Sequence, residues 1–282
     1  MDIPDLLRFV NAQHGTSFEL IGYLEGGTRG AWEIAEPDGR RVVLKRGWGE
    51  HLGRIRPLLE QLRARGYPAP DIFLGGRAPD GGSYHVQSLV PGSPVDRLTH
   101  HLLRQIMALI ELQTDLRPNT DQDWSNNVRN VVSHGESGWT VSLRAHSHAT
   151  AELLIAIERT THPFANTQLP ITDAVHGDLG EYNVLAHNGL VTAVIDIAQV
   201  GRGTRVIDLA ILLGQEYADL DGDLRRGLYA RMLDIAGRGA TTICVAYQII
   251  NLVAYAIAEH PPESLPRYLD RGQRMLDDLQ RL

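Results

Sequence analysis

The hydrophobic pattern of this chain changes at one segment, Pro91-Gly92-Ser93-Pro94. Before it, short runs of β-forming residues alternate with turn residues, around one helical stretch at about residues 51–65. After it, long stretches have helical spacing and one β-like segment covers residues 183–196. The sequence therefore predicts an N-terminal lobe at residues 1–90, a linker at 91–94 and a larger, mostly helical lobe at 95–282.

The N-terminal lobe is predicted to be a five-stranded antiparallel sheet with one packed helix. The candidate strands are residues 18–24, 30–36, 40–46, 72–75 and 83–90. In the second lobe the spacing predicts helices at residues 96–116, 149–159, 224–236, 241–259 and 265–282. Asn188-Gly189 predicts the turn of a central hairpin, and residues 119–148 are interpreted as irregular. The predicted fold class is α+β.

Cysteine usage and hydropathy indicate a cytoplasmic protein. Cys244 is the single cysteine, so no intrachain disulfide or zinc cluster can form from cysteines. The first residues lack the basic, apolar pattern of a signal peptide. Residues 241–258 are long enough to span a membrane, but Gln248 and Asn251 lie in the middle of the stretch. We expect a helix buried in a helical domain and no membrane partner.

The negative charge of the chain is concentrated after the linker. The formal net charge is −7, while residues 1–90 carry eleven charges of each sign. An acidic lobe repels nucleic acid and favours a cationic small molecule as partner. A solvated acidic surface with no ligand is the alternative. No obligate protein partner is inferred.

Lysine usage singles out one residue. Lys45 is the only lysine, against 26 arginines. A compact ammonium charge does work that a planar guanidinium does not. Lys45 also lies at the end of the candidate strand Val42-Val43-Leu44-Lys45. Either this position requires an ammonium group, or its identity is chance.

Three polar residues surround the candidate hairpin. Asp178 is followed five residues later by Asn183, which precedes the first strand, and Asp196 ends the second strand. An antiparallel hairpin brings its two ends together, so Asn183 and Asp196 are expected side by side. Their side-chain oxygens are ligands that Mg²⁺ prefers. Alternatively, all three are turn and cap residues.

These residues also form a recognisable series. His176-Gly177-Asp178 with Asn183, then Ile195-Asp196, then Asp208-Leu209-Ala210 resembles the aminoglycoside phosphotransferase and choline kinase group of kinases. The resemblance extends over nearly the whole chain. It implies a protein-kinase-like, two-lobed fold, ATP or another nucleoside triphosphate as cosubstrate, and Mg²⁺.

The resemblance also implies roles for individual residues. Asp178 would be the catalytic aspartate that receives the acceptor hydroxyl, Asn183 and Asp196 the magnesium ligands, and Lys45 the contact to the α- and β-phosphates. His176 and Asp208 would be structural. Nucleotide contacts are also expected from the loop Gly26, Gly27, Thr28 and Arg29, and from the adenine-binding segment Gln87, Ser88, Leu89 and Val90. Acceptor contacts are expected at Asp178, Glu216, Asp219, Asp221, Asp223, Trp124 and Asn127.

The chain departs from the family pattern at several positions. A glutamate is expected about eleven residues before the glycine that ends the first-lobe helix, but Ile55 stands there. Glu50 and Glu60 are the alternatives for pairing with Lys45. The residue after Asp196 is Ile197 and not an aromatic residue. Gly203-Thr204-Arg205 replaces Gly-Asp-Pro, so the next helix is expected to begin differently.

Two enzymatic functions and one regulatory function fit these residues. The first is an O-phosphotransferase that inactivates a cationic antibiotic, either an aminoglycoside or a basic cyclic peptide. The second is a metabolic small-molecule kinase of the choline, fructosamine or homoserine type. The third is a nucleotide-binding pseudokinase, against which the presence of Lys45, Asp178, Asn183 and Asp196 argues. The fold and motif indicate the reaction and leave the acceptor open.

Overall fold

The computed structural model describes residues 1–24, 30–47, 49–95, 98–134, 138–215 and 222–282. Over these ranges the chain forms two compact units. The first unit consists of Met1–Asp96 and Tyr182–Ala198, and the second of Arg97–Glu181 and Gln199–Leu282. The predicted hairpin thus packs with the N-terminal residues. The lobe and linker boundaries derived from the sequence stay a prediction.

The secondary structure alternates between strands and helices along the chain. The elements up to the linker are α1 (Ile3–His14), β1 (Glu19–Leu24), β2 (Ala31–Ala35), β3 (Arg41–Arg46), α2 (Gly49–Ala64), β4 (Ile72–Arg77), β5 (Ser83–Ser88) and β6 (Ser93–Pro94). They are followed by α3 (His100–Glu111), α4 (Trp124–His134), α5 (Gly138–His146), α6 (His148–Thr161), β7 (Asp173–Val175), β8 (Val184–His187), β9 (Leu190–Val194), β10 (Gly201–Gly203), α7 (Val206–Gln215), α8 (Gly222–Glu259) and α9 (Leu265–Arg281).

The predicted five-stranded antiparallel sheet is confirmed. Its strand order is β1-β2-β3-β5-β4, and each neighbouring pair is antiparallel. One face of this sheet packs against α1 in an apolar cluster that includes Leu6, Leu7, Val10, Ile34, Val42, Leu44, Tyr84 and Val86. Because side chains alternate along a strand, Val43, Lys45, His85 and Gln87 project from the other face.

Helix α1 is an addition to the sequence prediction, which has strands and one helix in the first ninety residues. The Asp2 side chain caps the helix by accepting a hydrogen bond from the Asp5 backbone N–H at 2.8 Å. Pro4 lies in the first turn. Leu6, Leu7 and Val10 then recur on one face and are buried. The cap and this spacing were both readable in the sequence.

The central hairpin forms where it was predicted. β8 pairs with β9 in antiparallel register, and Val184 lies opposite Val194. Asn188 and Gly189 both have positive φ, 50° and 76°, as a two-residue type I′ turn requires. β6 pairs with the outer side of β8, so Ser93-Pro94, part of the predicted linker, is a short strand.

The interpretation of residues 119–148 as irregular is wrong, because α4 and α5 cover most of this stretch. Its many Asn, Ser and His residues have low helix propensity. Burial outweighs that propensity: Val128, Val131, Val132 and Leu143 are buried. Valines at positions i, i+3 and i+4 were the signal for α4. The helices predicted at 96–116, 149–159 and 265–282 are α3, α6 and α9 with shifted ends.

The two helices predicted at 224–236 and 241–259 are joined in α8. Gly237 lies between them with φ 74° and ψ 177°, a non-helical conformation. Among the described residues, α8 is the one helix long and apolar enough to cross a membrane, and 83% of its apolar window is buried within the protein. This burial is typical of a core helix, as expected from the sequence.

Substitution of Gly237 by alanine tests whether its non-helical backbone conformation outweighs the higher helix propensity of alanine in the free energy of unfolding. In an ordinary helix, Gly→Ala stabilises by about 1 kcal/mol. The conformation of Gly237 is almost restricted to glycine, so we expect Gly237→Ala to lower the free energy of unfolding by about 1–3 kcal/mol. Gly227→Ala is the control, because Gly227 is exposed in the same helix and a Cβ there meets no neighbouring atom. It should raise the free energy of unfolding by about 0.5–1 kcal/mol. Urea unfolding of both variants measures these changes, and a stabilising Gly237→Ala would contradict the assigned conformation.

Candidate active site

The segment His176-Gly177-Asp178 follows directly after β7, which pairs with β10 in the second unit. The carboxylate of Asp208, on α7, accepts hydrogen bonds from the backbone N–H of His176 at 2.8 Å and of Gly177 at 2.9 Å. Asp208 is fully buried. α7 therefore holds the backbone of this segment through one carboxylate that bonds to two consecutive amides.

Burial raises the pKa of Asp208 above its ordinary value. The neighbouring His176, its two backbone N–H partners and Gln113 act in the opposite direction. The Asp178 backbone N–H donates a hydrogen bond to Nδ1 of His176 at 3.3 Å. The imidazole thus braces the loop, and the Asp178 side chain is exposed.

Trp124 supports the same loop from below. A Cβ on Gly177 would lie 2.1 Å from the Trp124 indole, so the backbone of the loop rests directly on this ring. The indole Nε1–H donates to the Gln199 carbonyl at 2.9 Å, and Trp124 is only 5% exposed. This burial argues against the acceptor contact predicted for Trp124. Asn127, half-buried on α4, stays a predicted contact.

Two further aromatic residues of the second unit pack against each other, and one of them, Tyr247, lies near Asp178. Burial raises the pKa of Tyr247, and the negative charge of Asp178 raises it further. The ring of Trp139 lies against Tyr247, with centroids 5.8 Å apart, and Trp139 is 37% exposed. Tyr247 was missed in the sequence because it lies within the apolar run of α8, where nothing distinguishes it from a core residue.

Arg205 explains how α7 begins without the Gly-Asp-Pro of the family. Its backbone N–H and its guanidinium both donate to Asp173 Oδ2, at 3.1 and 3.0 Å. The guanidinium also reaches Glu111 at 3.3 Å, and Arg231 donates twice to Glu111 at 2.7 Å. These charged hydrogen bonds connect α3, β7, α7 and α8, and they hold the pKa of Glu111 below its ordinary value, mainly through Arg231.

In the first unit, the ends of the hairpin carry the two predicted metal ligands. The Ile195 N–H donates to the Asn183 carbonyl at 2.8 Å, so the residues before and after the hairpin are adjacent, as antiparallel pairing requires. Asp196 has a φ of 59°, which is uncommon for a residue with a side chain. Both side chains carry hard oxygen donors of the kind that suit magnesium.

Lys45 lies at this same place. Its Nζ donates to Asp196 Oδ1 at 3.3 Å, and the lysine side chain is 17% exposed. β3 and the hairpin end are far apart in sequence, yet the only lysine and the aspartate of the family motif meet here. The first unit thus brings together Lys45, Asp196 and the neighbouring Asn183.

His85 is a residue of this region that was missed in the sequence. It lies opposite Lys45 in the β3–β5 register, and both His85 and Gln87 are buried. An isolated histidine in a strand gives no signal by itself. Ile55, which stands where the family has a glutamate, is buried, and Glu60 is exposed. The Glu50 side chain lies outside the described residues.

Several predicted contacts also fall outside the described part of the chain. They are Gly26, Gly27, Thr28 and Arg29 of the predicted phosphate loop, and Glu216, Asp219 and Asp221 of the acidic segment. Asp223 is described: it lies in the first turn of α8, is exposed, and pairs with Arg226.

Residues 11–242 match the sequence profile of the phosphotransferase enzyme family, APH. The chain belongs to this family. No curated protein sequence matches the phosphotransferase significantly.

Solved structures of aminoglycoside phosphotransferases share its fold. APH(4)-Ia is 15% identical with a TM-score of 0.73, covering 98% of this chain and 99% of that one. A thermostable mutant of APH(4)-Ia in ternary complex with AMP-PNP and hygromycin B is 14% identical with a TM-score of 0.71, covering 96% and 97%. APH(3'')-Id from Streptomyces rimosus is 19% identical with a TM-score of 0.54, covering 89% and 98%. The predicted protein-kinase-like fold is thereby confirmed.

Two separate tryptophan substitutions in this phosphotransferase, at Trp124 and at Trp139, test whether Trp124 supports the loop. Trp124→Phe keeps an aromatic ring under Gly177 but leaves the Gln199 carbonyl without its donor. We expect it to lower the free energy of unfolding by about 1–3 kcal/mol. Trp139→Phe, at the more exposed tryptophan, should change it by less than about 1 kcal/mol. Chemical denaturation measures both, and equal losses for the two variants would contradict the bracing role.

Proposed function

We propose that this protein is an ATP-dependent O-phosphotransferase that phosphorylates a hydroxyl of a cationic small molecule and thereby inactivates an antibiotic. The observation that carries the proposal is the 3.3 Å hydrogen bond between Lys45 Nζ and Asp196 Oδ1. A lysine beside a metal-binding carboxylate is the arrangement that phosphoryl transfer uses to hold a triphosphate. Membership of the phosphotransferase family supports the same reaction.

Each charged group has a defined task in this proposal. Asp196 and Asn183 offer oxygens to Mg²⁺ at the two ends of the hairpin. When bound, the metal neutralises charge on the phosphate oxygens. Lys45 contacts the α- and β-phosphates with an ammonium that Asp196 holds in place before nucleotide arrives. When ATP or another nucleoside triphosphate binds, its phosphates accept part of the hydrogen bonding that the ammonium otherwise donates to Asp196.

Asp178 handles the acceptor. Its carboxylate is exposed on a loop that His176, Asp208 and Trp124 hold rigid. It can orient a hydroxyl and accept its proton as the acceptor oxygen bonds to the γ-phosphorus and the bond from that phosphorus to the leaving ADP breaks. A loose transition state needs little base strength from this carboxylate. Most of the catalytic effect is then positioning and charge stabilisation.

Within the predicted adenine-binding segment, the hydrogen bonds of Ser88 and the burial of Gln87 reduce the number of residues that can contact adenine. The Ser88 N–H donates to the Asp71 carbonyl at 2.9 Å, and the Ser88 hydroxyl accepts from the Asp71 N–H at 2.9 Å. The Gln87 side chain is buried beside His85. We therefore assign the adenine contact to the backbone of Leu89 and Val90, out of the predicted segment 87–90.

The proposed acceptor class rests on charge and on one partly exposed aromatic ring. The acidic C-terminal part of the chain attracts a polycation, and the mutant APH(4)-Ia of the same fold is known in complex with hygromycin B. Trp139 packs against the buried Tyr247 and is partly exposed, so it can offer its ring to an apolar or cationic group of the acceptor. Aminoglycosides and basic cyclic peptides meet this description.

One observation favours a second candidate. Asp223, a member of the acidic segment, already pairs with Arg226, so part of the negative charge is compensated within the chain. A kinase for a small metabolic alcohol of the choline, fructosamine or homoserine type needs fewer acidic contacts. For either candidate we place the protein in the cytoplasm, where ATP and magnesium are supplied.

A coupled ADP-release assay decides between the two candidates. The acceptor panel consists of aminoglycosides, basic cyclic peptides, choline, fructosamines and homoserine, each with ATP and with GTP. We expect turnover with a cationic antibiotic at low micromolar to millimolar KM. Turnover with a metabolic alcohol alone would establish the second candidate. Nucleotide binding without turnover on any member would favour a pseudokinase.

Substitution of the two aspartates should separate chemistry from nucleotide binding. Asp178→Asn removes the group that orients the acceptor, and we expect it to abolish phosphoryl transfer while AMP-PNP affinity stays within about twofold. Asp196→Ala should instead abolish the magnesium dependence of nucleotide binding. Titration calorimetry with and without magnesium measures binding, and ADP release measures transfer. Near wild-type turnover by Asp178→Asn would exclude this loop as the catalytic one.

Lys45→Arg tests whether the single lysine matters. Arginine keeps the positive charge, and all 26 other Lys or Arg positions of the chain are arginine. Its planar guanidinium, however, cannot place one compact charge between two phosphates. Misplacement by about 1 Å can reduce rate about a hundredfold. We expect kcat/KM to fall at least about tenfold, with the melting temperature of the nucleotide-free protein unchanged. An equally active variant would make the lysine an accident of composition.

A further inference from the structure

A buried histidine lies beside the phosphate-contacting lysine. In the antiparallel pair of β3 and β5, Lys45 lies directly opposite His85, and Val43 lies opposite Gln87. Directly opposed side chains project from the same face of a sheet with Cβ atoms about 5 Å apart. The neighbours of this row on β2 and β4 are the small residues Ala31 and Gly75. The imidazole is therefore the large side chain that flanks the lysine within the sheet.

Both ring nitrogens of His85 lie within hydrogen-bond distance of an oxygen. Nδ1 lies 3.1 Å from the Gly47 carbonyl oxygen, and Nε2 lies 3.3 Å from Gln87 Oε1. Gly47 is the second residue after Lys45, where the chain leaves the sheet toward α2, and its own N–H donates to the Ser83 carbonyl at 2.6 Å. His85 thus fastens the end of β3 to β5 right after the lysine.

The surroundings of His85 keep its ring neutral. Burial lowers its pKa and the charge of Lys45 lowers it further, while hydrogen bonds to Gly47 and Gln87 and the charge of Asp196 act in the opposite direction. A neutral ring with its proton on Nδ1 donates to the Gly47 carbonyl, while the unprotonated Nε2 lies beside Gln87 Oε1. No second positive charge then competes with the ammonium of Lys45 for the phosphates.

We propose that His85 is a positioning residue for Lys45: it fixes the strand end and flanks the lysine stem, so that the ammonium stays directed at the α- and β-phosphates. The inference rests on the proposed function, since it assigns Lys45 to the phosphates. It also gives a physical reason why Ile55 can be apolar, because the lysine is held from β5.

Two substitutions of His85 test its two side-chain contacts separately, because each variant can keep only one of them. An asparagine amide reaches about the position of Nδ1, and a glutamine amide about that of Nε2. His85→Asn can therefore keep the bond to Gly47, whereas His85→Gln keeps only the contact with Gln87. Both variants are polar and of similar size, so a loss of folding in one alone is not expected, and thermal unfolding checks that both are folded.

The readout is binding by the intact protein of two probes, AMP-PNP with magnesium and adenosine, measured by titration calorimetry. Lys45 contacts phosphates, so it affects AMP-PNP and leaves adenosine unchanged. We expect His85→Gln to weaken AMP-PNP binding about tenfold with adenosine affinity unchanged, and His85→Asn to stay within about threefold of wild type for both probes. Tyr84→Phe is the matched control. It removes a hydrogen bond to His14 Nε2 at 2.8 Å on the opposite face of the same strand and should affect neither probe.

A double-mutant cycle shows whether His85 acts through Lys45. On a Lys45→Ala background, His85→Gln should produce no further loss of AMP-PNP affinity, because the group that it positions is gone. Additive losses, equal losses for AMP-PNP and adenosine, or full affinity in His85→Gln would each overturn the inference. So would an Asn variant as weak as the Gln variant. Failure of the wild-type protein to bind AMP-PNP would instead overturn the proposed function, and the inference with it.

Discussion

The antiparallel pairing of β3 with β5 determines what the first unit can offer to a ligand. Alternation along these strands sends Leu44, Tyr84 and Val86 to the face that α1 covers, and it leaves Lys45 with His85 on the other face. A shift of the register by one residue would exchange the two sets and bury the lysine in an apolar core. The buried cluster under α1 therefore fixes the position of a polar residue that takes no part in that cluster.

In the second unit, buried carboxylates hold the polar loop His176-Gly177-Asp178 and the start of α7 through hydrogen bonds to the backbone. Asp208 and Asp173 are both buried carboxylates, and each one accepts hydrogen bonds from backbone N–H groups at 2.8–3.1 Å. Buried charge is tolerated only when such partners are present. Asp208 holds the loop that carries Asp178, and Asp173 with Arg205 holds the start of α7. Rigid support of this kind keeps an exposed carboxylate in one place.

The sequence predicted correctly those parts of the molecule in which a short motif by itself determines which residues become neighbours. The Asn188-Gly189 turn specifies the hairpin, and the hairpin makes Asn183 and Asp196 neighbours. Lys45 was identified through its rarity. His85 could not be found in this way, because its significance depends on strand register and on the Gly47 carbonyl 38 positions away. Trp124 was recognised as important but given an acceptor role, since aromatic character alone does not distinguish a ring that binds ligand from one that supports a backbone.

The helices α4 and α5 show the limit of composition as a guide. Asn and Ser lower intrinsic helix propensity, yet a few valines at helical spacing contribute more free energy through burial than the polar residues remove. Ile55 on α2 is likewise buried, at the position where the family has an acidic residue.

The division of the chain into units bears on how it folds during synthesis. The first unit needs residues 182–198, which leave the ribosome long after residue 96. At bacterial and eukaryotic elongation rates of about 5–20 residues per second, this gap lasts on the order of ten seconds. Throughout that time β6 lacks its partner β8, and Lys45 lacks Asp196. The nascent N-terminal segment can form its sheet, but the proposed nucleotide site is completed only after Arg97–Glu181, the first segment of the second unit, has been made.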